Sequence, residues 1–222
     1  MSSFPGSPRL LKGGIVLVDP NTAAVQRIIT LQYNPETLTR SLQVQGVSAD
    51  GGAGGDRSEA LRLKGPPVET IKLEAEIDAT DQLESPDQNA TTAELGIHPQ
   101  LAALEAIVYP TSEQLQANHA LARSGALEII PMQAALTLFV WSKSRVMPVR
   151  LTDFSITEEA FDPALNPIRA KVSLGMRVLN VNDVGFNAKA GSLYMTYQQQ
   201  KEQLAGRAAA GAFATLGIRG VA

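Results

Sequence analysis

From Ile168 to Val178 every second residue is apolar: Ile168, Ala170, Val172, Leu174, Met176 and Val178. Arg169, Lys171, Ser173, Gly175 and Arg177 fill the positions between them. Successive side chains on a strand point to opposite faces, so the stretch predicts a two-faced β-strand of about eleven residues, against roughly five or six for an average strand. One face needs a core; the other needs water or a polar neighbour. A strand this long and half polar, with no catalytic motif beside it, points to an assembly protein before an enzyme.

The rest of the chain repeats the β theme. Gly13-Gly14 opens a short apolar strand, Ile15 to Val18, which Asp19-Pro20-Asn21 closes. Val25 to Tyr33 alternates again, and so short a connection predicts a β-hairpin. Asn34-Pro35-Glu36 breaks that strand, because proline fixes its own φ and restrains the residue before it. Further strands are expected over Leu38–Val44, Val68–Asp78 and Met132–Trp141. Val149 to Ile156 shifts phase between Leu151 and Phe154, as a β-bulge requires.

Helical signals are fewer. His98-Pro99 starts a helix that Tyr109-Pro110 stops, and a second runs from Ser112 to about Ala122. Residues 79–96 read as polar and turn-rich, and 46–58, with five glycines, as a flexible loop. Ala188 to Ala210 is rich in helix formers. Leu193, Tyr197 and Leu204 form a narrow stripe there, suited either to a partner or to folding back on the domain. The expected organisation is an arm over 1–12, a β-rich domain with an embedded helix over 13–184, and a helical Ala/Gly-rich tail over 185–222.

Composition removes several functions. The net charge is -3 and the basic residues are scattered, which argues against nucleic-acid binding. No cysteine is present, so disulfides, thiol chemistry and cysteine-bound zinc drop out, and two histidines offer little to a metal. No cofactor and no metal site are expected. Neither a secretory signal nor an uninterrupted apolar run of roughly 18 residues is present, so the reading is a soluble protein made in the cytoplasm.

Candidate chemistry is thin. The glycines of 51–55 lack the Lys-Ser/Thr of a phosphate-binding loop. Asp78, Asp81, Glu84 and Asp87 lack the alternate spacing and central glycine of a calcium loop. Glu158, Glu159 and Asp162 could serve a carboxylate-dependent hydrolase or a glycan-binding module. The plainer reading is charge at a strand end, pairing with Arg169. Ser124-Gly125 and Ser142-Lys143 match no nucleophile elbow. No catalytic residue is assigned.

Two segments resemble a known family. Leu31-Gln32-Tyr33-Asn34-Pro35-Glu36-Thr37-Leu38 is similar to the Phe-Asn-Pro-x-x-Leu signature of tube-domain proteins from contractile injection systems. Phe161-Asp162-Pro163 through Asn166-Pro167-Ile168-Arg169-Ala170-Lys171-Val172 resembles the second signature, Phe…Gly-x-Pro-x-Arg-Ala-x-Val. Glu69–Asp81, His98–Pro110 and Leu138–Trp141 fall where that family has its middle strand, helix and apolar strand, so the resemblance covers about residues 10–182 in order. Asn166 stands at the usual glycine, and asparagine tolerates the left-handed turn expected there.

The resemblance implies a mainly β (α+β), tube-like sandwich or barrel whose long strands join a ring-lining sheet. The implied function is a structural baseplate hub protein, forming a ring, usually sixfold, between a trimeric spike and the inner tube. An inner-tube initiator or tube subunit is the nearest alternative. The structural and interface residues it marks are Tyr33, Asn34, Pro35, Leu38, Phe161, Asp162, Pro167 and Arg169. Expected partners are further copies of the chain, the spike, the inner-tube protein and baseplate wedge proteins through residues 185–222, with no nucleic acid and no membrane insertion. Assembly is expected in the bacterial cytoplasm, as part of a phage-tail-like particle that is retained or released. The LysM module that many relatives carry has no counterpart after Gly185, so glycan binding does not transfer.

Overall fold

A computed structural model describes residues 10–46, 62–123 and 134–221. The arm before Leu10, most of the glycine-rich loop, Ser124-Gly125 and Met132 lie outside the described residues. Seven strands form one antiparallel sheet: β1 (Gly14–Val18), β2 (Val25–Thr30), β3 (Leu38–Gln43), β4 (Val68–Asp78), β5 (Leu136–Ser142), β6 (Arg145–Phe161) and β7 (Pro167–Val178). Their order across the sheet is β2-β1-β5-β6-β7-β4-β3. The expected hairpin is β1–β2, and the long alternating strand is β7. The fold is mainly β with added helices, as the sequence implies.

Strand β6 organises the sheet. Its first residues pair with β5 (Thr137 opposite Val149) and its remainder with β7 (Val149 opposite Val178, Phe161 opposite Pro167). The register slips between Leu151 and Asp153, where the sequence phase shifts. Bulges bend a strand and sharpen its twist. The two halves of the sheet thereby face each other across one core. Ile15, Leu17, Phe139 and Met147 come from one half, and Ile71, Leu73, Ile77, Val172, Leu174 and Met176 from the other.

Gln32 fastens the fold where backbone pairing runs out. β3 stops opposite Leu73, before the end of β4. Beyond it, the Gln32 amide donates to Asp78 O at 2.6 Å and accepts Asp78 N–H at 3.0 Å. One side chain thus replaces a missing strand and satisfies both polar groups of a strand end.

The helices are α1 (Thr80–Leu83), α2 (Ala90–Leu95), α3 (His98–Glu105), α4 (Ser112–Arg123) and α5 (Lys189–Ala205). Residues 79–96, expected as turns, coil into α1, a 3-10 turn over Pro86–Gln88 and α2. Elements this short have too few residues to show a period, which is why the sequence hid them. Leu101 and Leu104 of α3 enter the core. This helical region is stapled to the start of β7: Ala79 N–H donates to Ile168 O (3.0 Å) and Ile97 N–H to Pro167 O (2.9 Å).

Gly96, between those staples, has φ +58, and a Cβ there would run into Pro167 O. Gly96→Ala therefore meets both a backbone penalty and a clash, and should lower unfolding free energy by about 1–3 kcal/mol in denaturant titrations.

Candidate functional site

The outward side of strands β3, β4, β7 and the second half of β6 is polar along its length, with Val68 an apolar side chain at the start of β4. Across it lie Thr39, Ser41 and Gln43; Thr70, Lys72, Glu74, Glu76 and Asp78; Arg169, Lys171, Ser173, Gly175 and Arg177; and Arg150, Asp153, Ser155, Thr157 and Glu159. Alternation on β4 and β7 sends Ile71, Leu73, Val172 and Leu174 inward and these residues outward, and no described helix is built on them. Charges interleave in rows: Asp78, Arg169 and Glu159 stand abreast, as do Glu76, Lys171 and Thr157. Glu159 reaches Arg169 at 3.3 Å and Lys171 at 3.1 Å, and the Lys171 ammonium is raised above its ordinary value by its hydrogen bond to Glu159. The expected pairing of this acidic cluster with Arg169 is thus present. Such half-exposed pairs add little stability but fix the rows against one another.

The two signature segments are linked through Asp78 at one end of this face. Asn34 accepts Gly13 N–H at 2.9 Å and donates to Leu11 O at 2.8 Å, holding the segment that enters β1. Tyr33 beside it is exposed, Pro35 half-buried, and Leu38 packs on the core. Asp78 links this corner to the other: it is bonded to Gln32 and stands opposite Arg169.

In the β6–β7 turn, Asp162 accepts Ala164 N–H and Asn166 N–H at 2.8 Å each on one oxygen, and the Asn166 amide at 2.8 Å on the other. These bonds, the Asn166 side chain first, hold the Asp162 carboxyl below its ordinary value. The left-handed residue is Leu165 (φ +66), not Asn166 as the sequence led us to expect. Asn166 instead ties the turn to α2 by donating to Glu94 O at 3.0 Å. Phe161 (50%) and Leu165 (77%) are exposed at this tip, while Pro167 is buried.

At the far end of β4 lies a cluster that periodicity could have revealed. Stepping back by two from Ile71 places Glu69 on the core side, where it is 3% exposed. Arg40 pairs with it at 2.6 Å, Tyr197 of α5 donates its hydroxyl at 3.0 Å, and Lys201 approaches to 3.7 Å while lying 4.3 Å over the Tyr197 ring. A buried carboxylate needs such partners. They draw α5 onto its own domain, with Ala190, Tyr194 and Tyr197 buried. Leu204, expected on the same stripe, is exposed. Here α5 follows the folding-back alternative for its inner face.

Burial, then the Glu69 charge, pushes the Tyr197 phenol up to about 12. A folded-state value above the ordinary 10.0 contributes stability that is complete below pH 10 and lost as pH rises toward about 12. Burial holds Lys201 below its ordinary value, against the pull of Glu69, and works in the opposite sense. Tyr197→Phe should therefore cost about 1 kcal/mol at pH 7 and show a shallower loss of stability between pH 9 and 12, read by urea unfolding at each pH.

Among the described residues no three His, Cys, Asp or Glu side chains cluster to hold a metal, and no helix is long and apolar enough to cross a membrane. No curated protein matches the chain. Among solved structures, a chain from the tail of an empty GTA particle, computed with helical refinement and C6 symmetry, covers 75% of this chain and 90% of its own at 10% identity and a TM-score of 0.28. The family model that matches is that of the contractile injection system tube protein, over residues 15–181. That span takes in every strand of the sheet, both signature corners and the polar face, and the chain belongs to the contractile injection system tube protein family.

Proposed function

We propose that copies of this chain form a ring, a hexamer by resemblance, whose lumen is lined by the polar face of β3, β4, β7 and β6. The ring sits at the baseplate hub and joins the trimeric spike to the inner tube. The observation that carries this reading is the polarity of that face, interrupted only at its margins. A sheet side four strands wide whose apolar residues lie only at its margins is built to meet water in quantity. Strands β2 and β3, at the two edges of the sheet, supply unpaired backbone for neighbours, and pairing there also covers edges that would otherwise aggregate. Tyr33, Asn34, Pro35 and Leu38, with Phe161, Asp162, Pro167 and Arg169, form the two corners that set the shape of one end of the wall.

The work is mechanical. The ring passes the stroke of the contracting sheath from tube to spike and adapts the symmetry of one to the other. Residues beyond 181, outside the family match, support the hub position, because a repeating tube subunit has less use for them. The exposed outer side of α5 is the surface offered to wedge proteins. The second reading, an inner-tube subunit or initiator, is favoured by one observation: α5 spends its buried side on its own domain. In either reading the particle assembles in the bacterial cytoplasm, and the protein carries out no catalysis, binds no nucleic acid and requires no cofactor.

Solution mass is the test, for the purified protein alone and then mixed with the spike protein. A ring that forms with the spike supports the hub reading, a ring or stack that forms alone supports the tube subunit, and a monomer indifferent to the spike removes both. Glu158→Gln combined with Glu159→Gln should leave the ring mass and particle firing unchanged. Loss of an enzymatic activity in an otherwise intact ring would overturn the structural role.

A further inference from the structure

The last described residues carry apolar side chains that their own subunit does not cover. Every residue from Gln203 to Val221 is exposed. Within this stretch Phe213–Leu216 forms a 3-10 turn closed by Gly217 at φ +70, and Ile218 N–H returns to Phe213 O at 3.2 Å. Residues three apart eclipse in such a turn, so Phe213 (51% exposed) and Leu216 (72%) project on one side. Arg207 and Arg219 flank this knob, and no acidic side chain lies between Glu202 and Val221. The segment is basic, apolar-faced and held together by its own hydrogen bonds.

A surface of the opposite character lies elsewhere on the chain. The helical region between Ala79 and Ala122 carries six acidic side chains and no Lys or Arg. The chain leaving α3 and the middle of β6 frame an open groove of about 450 Å³. Val108, Tyr109, Leu151 and Phe154 give it apolar walls, and Glu105 and Asp153 an acidic rim. Val108 and Tyr109 are 45% and 70% exposed. Knob and groove match in both respects, apolar centre and opposite charge.

We propose that residues 206–221 of one copy dock on a second copy, seating Phe213 and Leu216 in the groove between α3 and β6, with Arg219 toward Glu105 and Asp153. Knob and groove are different surfaces, so the contact is head-to-tail. Each copy keeps one of each free for the next, as a growing assembly needs and a closed dimer does not. The contact goes beyond the ring reading, since pairing of sheet edges does not require it.

The absence of cysteine gives a clean test. Full-length Leu216→Cys and Thr152→Cys proteins, the second altered at the groove wall, are mixed at high concentration and treated with a short bismaleimide. The mixture should yield a cross-linked dimer well beyond that from either protein alone. Adding Glu105→Arg to the groove protein should cut that yield about tenfold, and Arg219→Glu on the knob protein should recover it. No mixture-specific product overturns the proposal. So does an internally cross-linked monomer from a chain carrying both cysteines, which places the knob on its own subunit. Ring mass of Phe213→Ser with Leu216→Ser, measured in parallel, separates the two readings. A ring without the mixed cross-link sinks this contact alone, and the cross-link without a ring leaves it standing.

Discussion

Val149 is paired on both sides, to Thr137 of β5 and to Val178 of β7, and the molecule depends on that double engagement. It lies in the one strand long enough to belong to both halves of the sheet. Just beyond it, the bulge at Leu151–Asp153 turns the second half so that the two inner faces close on each other. Without the bulge, β6 would run straight and the apolar sides of β1 and β5 would not meet those of β4 and β7. The core, the polar outer side and the positions of both signature corners all follow from where this strand bends.

The ends of the sandwich are held by polar groups standing in for backbone or apolar ones. At one end Gln32 completes the edge of β4, and at the other Glu69 recruits Arg40, Tyr197 and Lys201. Both devices are specific rather than strongly stabilising. Breaking a buried pair is costly, while an apolar replacement of similar volume can be neutral. Their contribution is to fix where the β1–β2 hairpin and α5 lie, and therefore which surfaces remain for neighbours.

The strands were legible because period two is a strong signal over eleven residues, as in β4 and β7. The bulge was legible too, since a one-residue slip reverses the pattern after it. What escaped has a common cause. Gln32 and Glu69 act through partners 46 and 128 residues away in the chain, and no local pattern records a distant partner. The turn at 162–166 was read from the wrong residue: asparagine tolerates a left-handed backbone, but three bonds to Asp162 decided the geometry and left Leu165 to adopt it. The stripe on α5 ended one turn earlier than expected, because Leu204 is exposed while Lys201, half-buried with its ammonium over the Tyr197 ring, faces Glu69.

The polar face has one property that its residue types alone do not convey. Lys72, Arg150, Arg169, Lys171 and Arg177 share it with Glu74, Glu76, Asp78, Asp153 and Glu159, so cations and carboxylates balance. Alternating charges a few ångströms apart cancel one another well within the Debye length of about 8–10 Å. The surface thus carries a fine-grained texture of small dipoles in place of a patch of one sign. In the ring proposed above, such a wall would be electrostatically smooth to a passing solute.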